Sequence, residues 1–418
     1  MNLVKTSLLN SIAITVRVVS AIVINKILAV YVGPAGYAII GQFQNAVSVI
    51  VSLAGGIVTI GVTKATAELH DDEKRQHEVW QTALRFSLGA SLIAAAILLF
   101  LREWLSDWLL LSADMSTVFL WLAAILPAVA CNNILLAIIN GKKEVGVFVT
   151  VNIVGSLISM LVTGALALQF GLYGALVAFT INPAIVSLVT AAIVVRCDWF
   201  KVKFLWGKIN VPAFHELSGF GLMSIASALT VPITFMLIRD ILTTNLDLTA
   251  AGYWQASWKI SEIYLMLVTS TLSLYYLPRL AEITTALDLK AEIFKVYRFV
   301  MPIVVVGAVA IYILRDFIIS ILFTSDFVGM RDLFFWQLAG DVVKIASWVC
   351  GYVITARGLV KYYIVSEVFS NVLFLALTWW LVRYFGLQGV VISYLLTYIV
   401  HLFLMAVLVR AEMGRMEK

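Results

Sequence analysis

The sequence predicts an all-α integral membrane protein: twelve transmembrane helices in two six-helix lobes, related by a pseudo-two-fold axis along the membrane normal around a central cavity. Three observations predict it. Hydrophobic residues fill 62% of the 418 positions and charged residues 13%, with a mean hydropathy of +1.00, far from the balance of a soluble domain. Apolar runs of the ~20 residues that cross ~30 Å of hydrocarbon recur along the whole chain. Lysine and arginine, finally, concentrate in alternate connections. Helices are expected throughout, because lipid offers no partner to an open strand edge.

Read in order, the spans fall at 5–32, 36–63, 83–101, 116–139, 147–169 and 173–195, then at 217–238, 252–278, 297–314, 332–355, 361–383 and 388–409. The first run carries Lys5 ahead of it but continues past Arg17 without a small-residue cleavage site, so it is expected to be a retained helix. GPAG at 33–36, GLYG at 171–174 and GLQG at 386–389 mark tight connections. Counting residues within three positions of a span end with the adjoining connection, 20 of the 29 lysines and arginines lie on the side of the N-terminus and even-numbered connections, 5 lie opposite (Arg102, Arg239, Arg315, Arg331, Arg383), and 4 lie deeper inside spans. Cytoplasmic loops retain basic residues, so both termini are expected in the cytoplasm. A slip of one span would destroy the asymmetry.

The two lobes, 1–200 and 201–418, are predicted from an internal repeat. Arg85-Phe86 and the LREWL at 101–105 match Arg298-Phe299 and the LRDFI at 314–318, with the same internal spacing. FGLYG at 170–174 matches FGLQG at 385–389, and Phe119-Leu120-Trp121 matches Phe334-Phe335-Trp336, both 215 residues on; Ala35-Gly36-Tyr37 matches Ala251-Gly252-Tyr253 at 216. Six spans per copy is even, so the copies enter the bilayer from the same side, and their mid-membrane interface is the default binding site.

Charge at the bilayer centre costs ~2.5–3.5 kcal/mol on insertion scales and marks function by default. Four cations lie within spans (Arg17, Lys26, Lys259, Lys344) with two acids at comparable depth (Glu262, Asp341), an excess that suits an anionic ligand. Gln255, Lys259 and Glu262 share one face of span 8 by their spacing, and Gln337, Asp341 and Lys344 one face of span 10, with Trp348 continuing the stripe. Gln42, Asn45, Ser48 and Ser52 form a polar face in span 2, and Arg17 shares a face with Asn10. The same charges also suit a blander role as ion pairs holding the bundle together. Lys26 falls on the face opposite Arg17 and suits an interfacial, snorkelling position. Glu367 reads equally as a proton carrier or an interfacial acid, and Arg239-Asp240 as an interfacial helix end.

Other classes fall away. The net charge of +5 is the topological bias, not a nucleic-acid footprint. Three cysteines suggest neither disulfides nor zinc, and His70, Asp71, Asp72 and His77 lack metal-ligand spacing. No P-loop, nucleophile elbow or HExxH occurs, and no loop is long enough for a catalytic domain, so an enzyme such as a membrane glycosyltransferase or ligase is not expected.

Two segments, LLNSIAITVRVVSAIVINKILAVYVGPAGYAIIGQF at 8–43 and MRDLFFWQLAGDVVKIASWVCGYVI at 330–354, resemble Wzx-type flippases of lipid-linked oligosaccharides, of the O-antigen and enterobacterial common antigen lipid III type. That group belongs to the multidrug, oligosaccharidyl-lipid and polysaccharide exporter superfamily. The resemblance implies a transporter that moves undecaprenyl-pyrophosphate-linked oligosaccharide from the cytoplasmic to the periplasmic leaflet by alternating access. It also implies H+ or Na+ as coupling ion, no bound cofactor, and a periplasmic polymerase and chain-length regulator as partners. Arg17, Lys26, Lys259 and Lys344 are then the pyrophosphate candidates. Asp341, Glu262 and Glu367 are candidate coupling acids, and Gln42, Asn45, Gln255 and Gln337 candidate sugar contacts. A cation-coupled drug antiporter of the same superfamily is the alternative, against which the cationic excess argues.

Overall fold

The computed structural model describes residues 3–207 and 210–417, and side chains outside 3–11, 57, 211, 213–227, 267, 271 and 274. Among these residues every regular element is helical. In chain order they are α1 (Leu3–Leu53), α2 (Thr59–Glu68), α3 (Glu73–Leu110), α4 (Thr117–Gly141), α5 (Val145–Val194), α6 (Val211–Asn245) and α7 (Leu248–Thr271). There follow α8 (Leu277–Glu282), α9 (Ala286–Ile313), α10 (Arg315–Leu322), α11 (Phe334–Ala356), α12 (Val360–Phe385) and α13 (Gln388–Met416).

Eight of the described helices are long and apolar enough to cross a bilayer. Two of them are each double. α1 and α5 run for 51 and 50 residues, about 75 Å at ~1.5 Å per residue, more than twice a ~30 Å hydrocarbon core. Each departs from helical geometry at one glycine: Gly33 at φ 70°, ψ −178° and Gly171 at φ 55°, ψ −130°. Past Gly171 the chain doubles back, since a Cβ on Gly174 would lie 1.9 Å from the Leu166 carbonyl oxygen, whereas eight residues of straight helix separate by ~12 Å. These turns, with α6 and α7, give the twelve crossings in the predicted order. Span 8 is the least regular of them, for α7 ends in a π turn at Leu272–Tyr276 before α8.

Polar side chains start the helices where the sequence leaves the apolar runs. Asp72 accepts from the Arg75 amide at the head of α3, Asp247 from Ala250 at α7, and Thr285 from Asp288 at α9, each satisfying a backbone donor the helix itself cannot. Asp72, one of the loose metal-ligand candidates, is thus a helix cap. His77 stacks on Phe204, and no group of three or more metal-ligating side chains occurs among the described residues.

The duplication is legible in the backbone. Gly386, 215 residues beyond Gly171, has φ 56°, ψ −138°, and Gly389 crowds Leu381 as Gly174 crowds Leu166. The turn after α4 is repeated bond for bond after α11. Lys143 N donates to Asn140 O and Glu144 N to Ile139 O, as Gly358 N does to Thr355 O and Leu359 N to Ile354 O. The pivot of that turn takes positive φ in both copies, 59° at Lys143 and 64° at Gly358.

Two compact units result, 1–32 with 39–232, and 33–38 with 233–418. The 200/201 boundary expected from the repeat falls within 199–210, a stretch that packs on the first unit. Trp199 packs edge-on against Trp80, Phe204 stacks on His77, and Asn210 bonds both Thr82 and Glu78, tying this stretch to α3. In the first unit α2, α3 and α4 share a core of Val58, Val62, Val79, Trp80, Ile134 and Ile138. In the second, α11 is the central helix and packs against α13 and α9.

Candidate functional site

The sequence-predicted residues divide between the units. Arg17, Lys26, Gln42 and Asn45 belong to the first; Arg17 is exposed, and the others are partly buried. Asn10, placed on the Arg17 face by its spacing, lies outside the described side chains. Lys259, Glu262, Gln255, Gln337, Asp341, Lys344 and Glu367 belong to the second unit, where a single polar network draws most of them together.

Asp341 is at its centre, on α11, with no solvent exposure. Its carboxylate accepts from the Ser261 hydroxyl at 2.6 Å, the Tyr394 hydroxyl at 2.8 Å and the Gln337 amide at 3.5 Å, donors from α7, α13 and α11. Gln337 also donates to Ser261 at 3.2 Å. A buried carboxylate is tolerated only with such partners. Gly340, next in sequence, makes room for one of them: a Cβ there would stand 2.4 Å from the Tyr394 ring.

Lys344 lies one turn further along the same face. It makes no ion pair with Asp341 within 4.0 Å, so the intrahelical pair that the spacing suggested is absent among the described residues. Its ammonium instead sits among four aromatic rings. Trp258 and Trp348 are each 4.8 Å away by centroid, Tyr398 5.4 Å and Tyr394 5.6 Å. Ring faces attract cations within ~6 Å, most strongly when water is excluded, and Lys344 is only 8% exposed. Tyr394 therefore serves both ions, donating to Asp341 through its hydroxyl and facing Lys344 with its ring.

Trp258 joins this centre to the outer pair. Its indole N–H donates to Glu262 at 3.2 Å, and Lys259 donates to the other oxygen of Glu262 at 2.8 Å. Lys259 and Glu262 thus form the intrahelical ion pair, half-exposed, that was the blander reading of span 8. Glu367 is partly buried on α12.

Burial bears on two of the expectations. Gln255 and Gln337, expected to contact sugar, are both buried and engaged with protein, Gln255 with the Arg239 guanidinium and Gln337 with Asp341 and Ser261. Arg239, read as an interfacial helix end, is 3% exposed within α6, where its guanidinium also lies 5.5 Å from the Trp254 ring. Its neighbour Asp240 is exposed, as expected.

Tyr394, Tyr398, Ser261 and Trp258 went unnamed from the sequence. A signal existed on α13, where Tyr394, Tyr398 and His401 follow at i, i+4 and i+7, one helical face; His401 bonds Ser347 at 2.6 Å. On α7, Trp254, Trp258 and Glu262 repeat at intervals of four.

Twelve apolar crossings in duplicated halves, with a buried charge network in one of them, define a helical multi-pass membrane protein. The fold is similar to that of a solved structure titled as the inward-facing conformation of a multidrug resistance MATE family transporter of the MOP superfamily, which superposes with a TM-score of 0.82, at 15% identity over 96% of this chain and 95% of that one. The chain belongs to the polysaccharide biosynthesis protein family, whose model matches residues 27–332. It is 31% identical to the lipid III flippases of Escherichia coli (strain K12) and Shigella flexneri, in each case over 401 residues that cover 96% of both proteins.

Proposed function

We propose that the chain is a flippase for an undecaprenyl-pyrophosphate-linked oligosaccharide, an O-antigen unit or the common antigen lipid III. It carries this lipid from the cytoplasmic to the periplasmic leaflet of the bacterial inner membrane by alternating access, with both termini cytoplasmic. The observation that carries the reading is end-to-end similarity to lipid III flippases, 31% over 96% of each chain. A periplasmic polymerase and a chain-length regulator, which use the delivered unit, are its partners in this reading.

The chemistry of the chain supports it. A pyrophosphate is matched by cations, and the candidates are Arg17 and Lys26 in the first unit and Lys259 and Lys344 in the second. Arg17 and the Lys259–Glu262 pair are accessible to a ligand; Lys344 is held in its aromatic surround. Gln42 and Asn45 remain the sugar candidates. Asp341 is the principal coupling acid, for H+ or Na+: its donors come from three helices, so a change in its charge is felt by α7, α11 and α13 together. Glu262 and Glu367 remain the further coupling candidates.

The test is complementation of two deletion strains, one lacking the O-antigen flippase and one lacking the common-antigen flippase, with surface polysaccharide scored by gel. Rescue of either is the expected result and identifies the repeat unit. Rescue of neither at normal expression, with drug efflux in a sensitive strain, would return the assignment to the antiporter.

A further inference from the structure

The first unit contains an open, largely apolar groove of about 600 Å³, with a few polar side chains along it, far in sequence from the charged network of the second unit. It lies among the end of α1, the turn at Gly56, α2, α4 and the first turn of α5. One face of α4 supplies Asn133, Leu136, Ala137 and Asn140, spaced i, i+3, i+4 and i+7. Opposite stand Ser52, Thr63 and Lys64, and Phe148 contributes an aromatic wall.

The polar groups differ in how far they are already committed. Thr63 bonds the carbonyls of Thr59 and Ala137, and Lys64 lies 3.5 Å from Glu68. Ser52, Asn133 and Asn140 have no side-chain hydrogen bond among the described residues. Each amide offers two donors and an acceptor, and a hydroxyl offers both. A diphosphate would need several cations, and the one present is shared with Glu68. A cationic drug would need an acid, and no lining residue is one. Paired neutral amides, hydroxyls and one aromatic face suit a neutral polyhydroxylated ring, whose hydroxyls take up the amides while its C–H face lies on Phe148.

We propose that this groove is a sugar-binding subsite, engaged on the cytoplasmic side before translocation. Its position supports that side: Lys64 is part of the wall, and Lys142 follows Asn140 by two residues, both on the lysine-rich flank of the topology. The inference rests on the flippase reading for the source of the sugar, but not for the binding itself.

The experiment is saturation-transfer NMR on the full chain in lipid nanodiscs, with the neutral sugars glucose, galactose and N-acetylglucosamine as probes and inorganic pyrophosphate as competitor. Transfer to the ring protons of at least one sugar is expected, undiminished by pyrophosphate. Affinity should fall at least tenfold in an Asn133→Ala/Asn140→Ala double variant, severalfold in Asn140→Ala, whose exposed position spares folding, and not at all in the exposed Asp240→Ala. In a strain rescued by the wild type, the Asn140→Ala variant should show a raised substrate KM with kcat unchanged in reconstituted vesicles. Absence of sugar binding by the wild type, or binding that survives the double variant, overturns the subsite. Sugar binding lost in the double variant, in a chain that rescues neither strain, leaves the subsite standing and sinks the flippase reading instead.

Discussion

The Tyr394 hydroxyl donates to the Asp341 carboxylate at 2.8 Å while the same ring lies 5.6 Å from the Lys344 ammonium. One side chain of α13 therefore addresses both charges of α11. Tyr394→Phe keeps the ring and removes one of three donors to a buried carboxylate. It should lower stability by about 1–3 kcal/mol, and the loss should shrink in an Asp341→Asn background. A fluorescence-monitored thermal melt of the four proteins in detergent measures that coupling; additive losses would show that the bond contributes nothing.

Lys344→Ala should abolish complementation at normal membrane levels and alter tryptophan emission, because Trp258 and Trp348 both lose the cation 4.8 Å from their rings. Full rescue by this variant and by Lys259→Ala would remove both residues from the pyrophosphate proposal.

Gly340→Ala tests the packing that admits Tyr394. A methyl group 2.4 Å from a ring atom forces the buried aromatic to move. Overpacking of this kind costs about 1–3 kcal/mol, and Asp341 loses bond geometry as well. Lower yield and a lower melting temperature are expected. At Gly307, where a Cβ would meet nothing within 4 Å, the same change should be tolerated.

The paired turns make a prediction of opposite sign. Lys143 holds φ at 59°, a left-handed conformation costing a side-chain-bearing residue about 1–2 kcal/mol, and its repeat counterpart is Gly358. Lys143→Gly should raise the melting temperature and Gly358→Ala should lower it, both without effect on transport.

Adjacent residues on α6 should behave differently. Arg239→Ala strands the buried Gln255 carbonyl and should cost about 1–3 kcal/mol, while the exposed Asp240→Ala should change stability by less than about 0.5 kcal/mol. Chemical denaturation in mixed micelles distinguishes the two.

Arg239 also shows where sequence reading stops. Its partner Gln255 is 16 residues away across the connection between α6 and α7, so no helical spacing links them, and hydropathy alone places an arginine near the end of an apolar run at the interface. The twelve crossings and the repeat were legible because each is local: a run length, a glycine turn, a matched pentapeptide. Asp341, Lys344 and Gln337 were legible as a stripe because they lie on one helix. What surrounds them was not, for Ser261, Trp258, Tyr394 and Tyr398 come from two other helices. Aromatic residues in a membrane protein also read as packing until a charge is found against them. Gln255 and Gln337 share that difficulty: a polar face on a helix shows that a partner is needed, not that the partner is a sugar.

The single-residue reversal at Gly171 bears on how the chain meets other macromolecules. Helix runs up to the pivot on one side and away from it on the other, leaving no extended stretch of backbone there. A protease must draw several residues of open chain into its cleft before it can cut, and this corner supplies none. Limited digestion of the purified chain in nanodiscs should spare it, and an epitope tag needs another point of insertion.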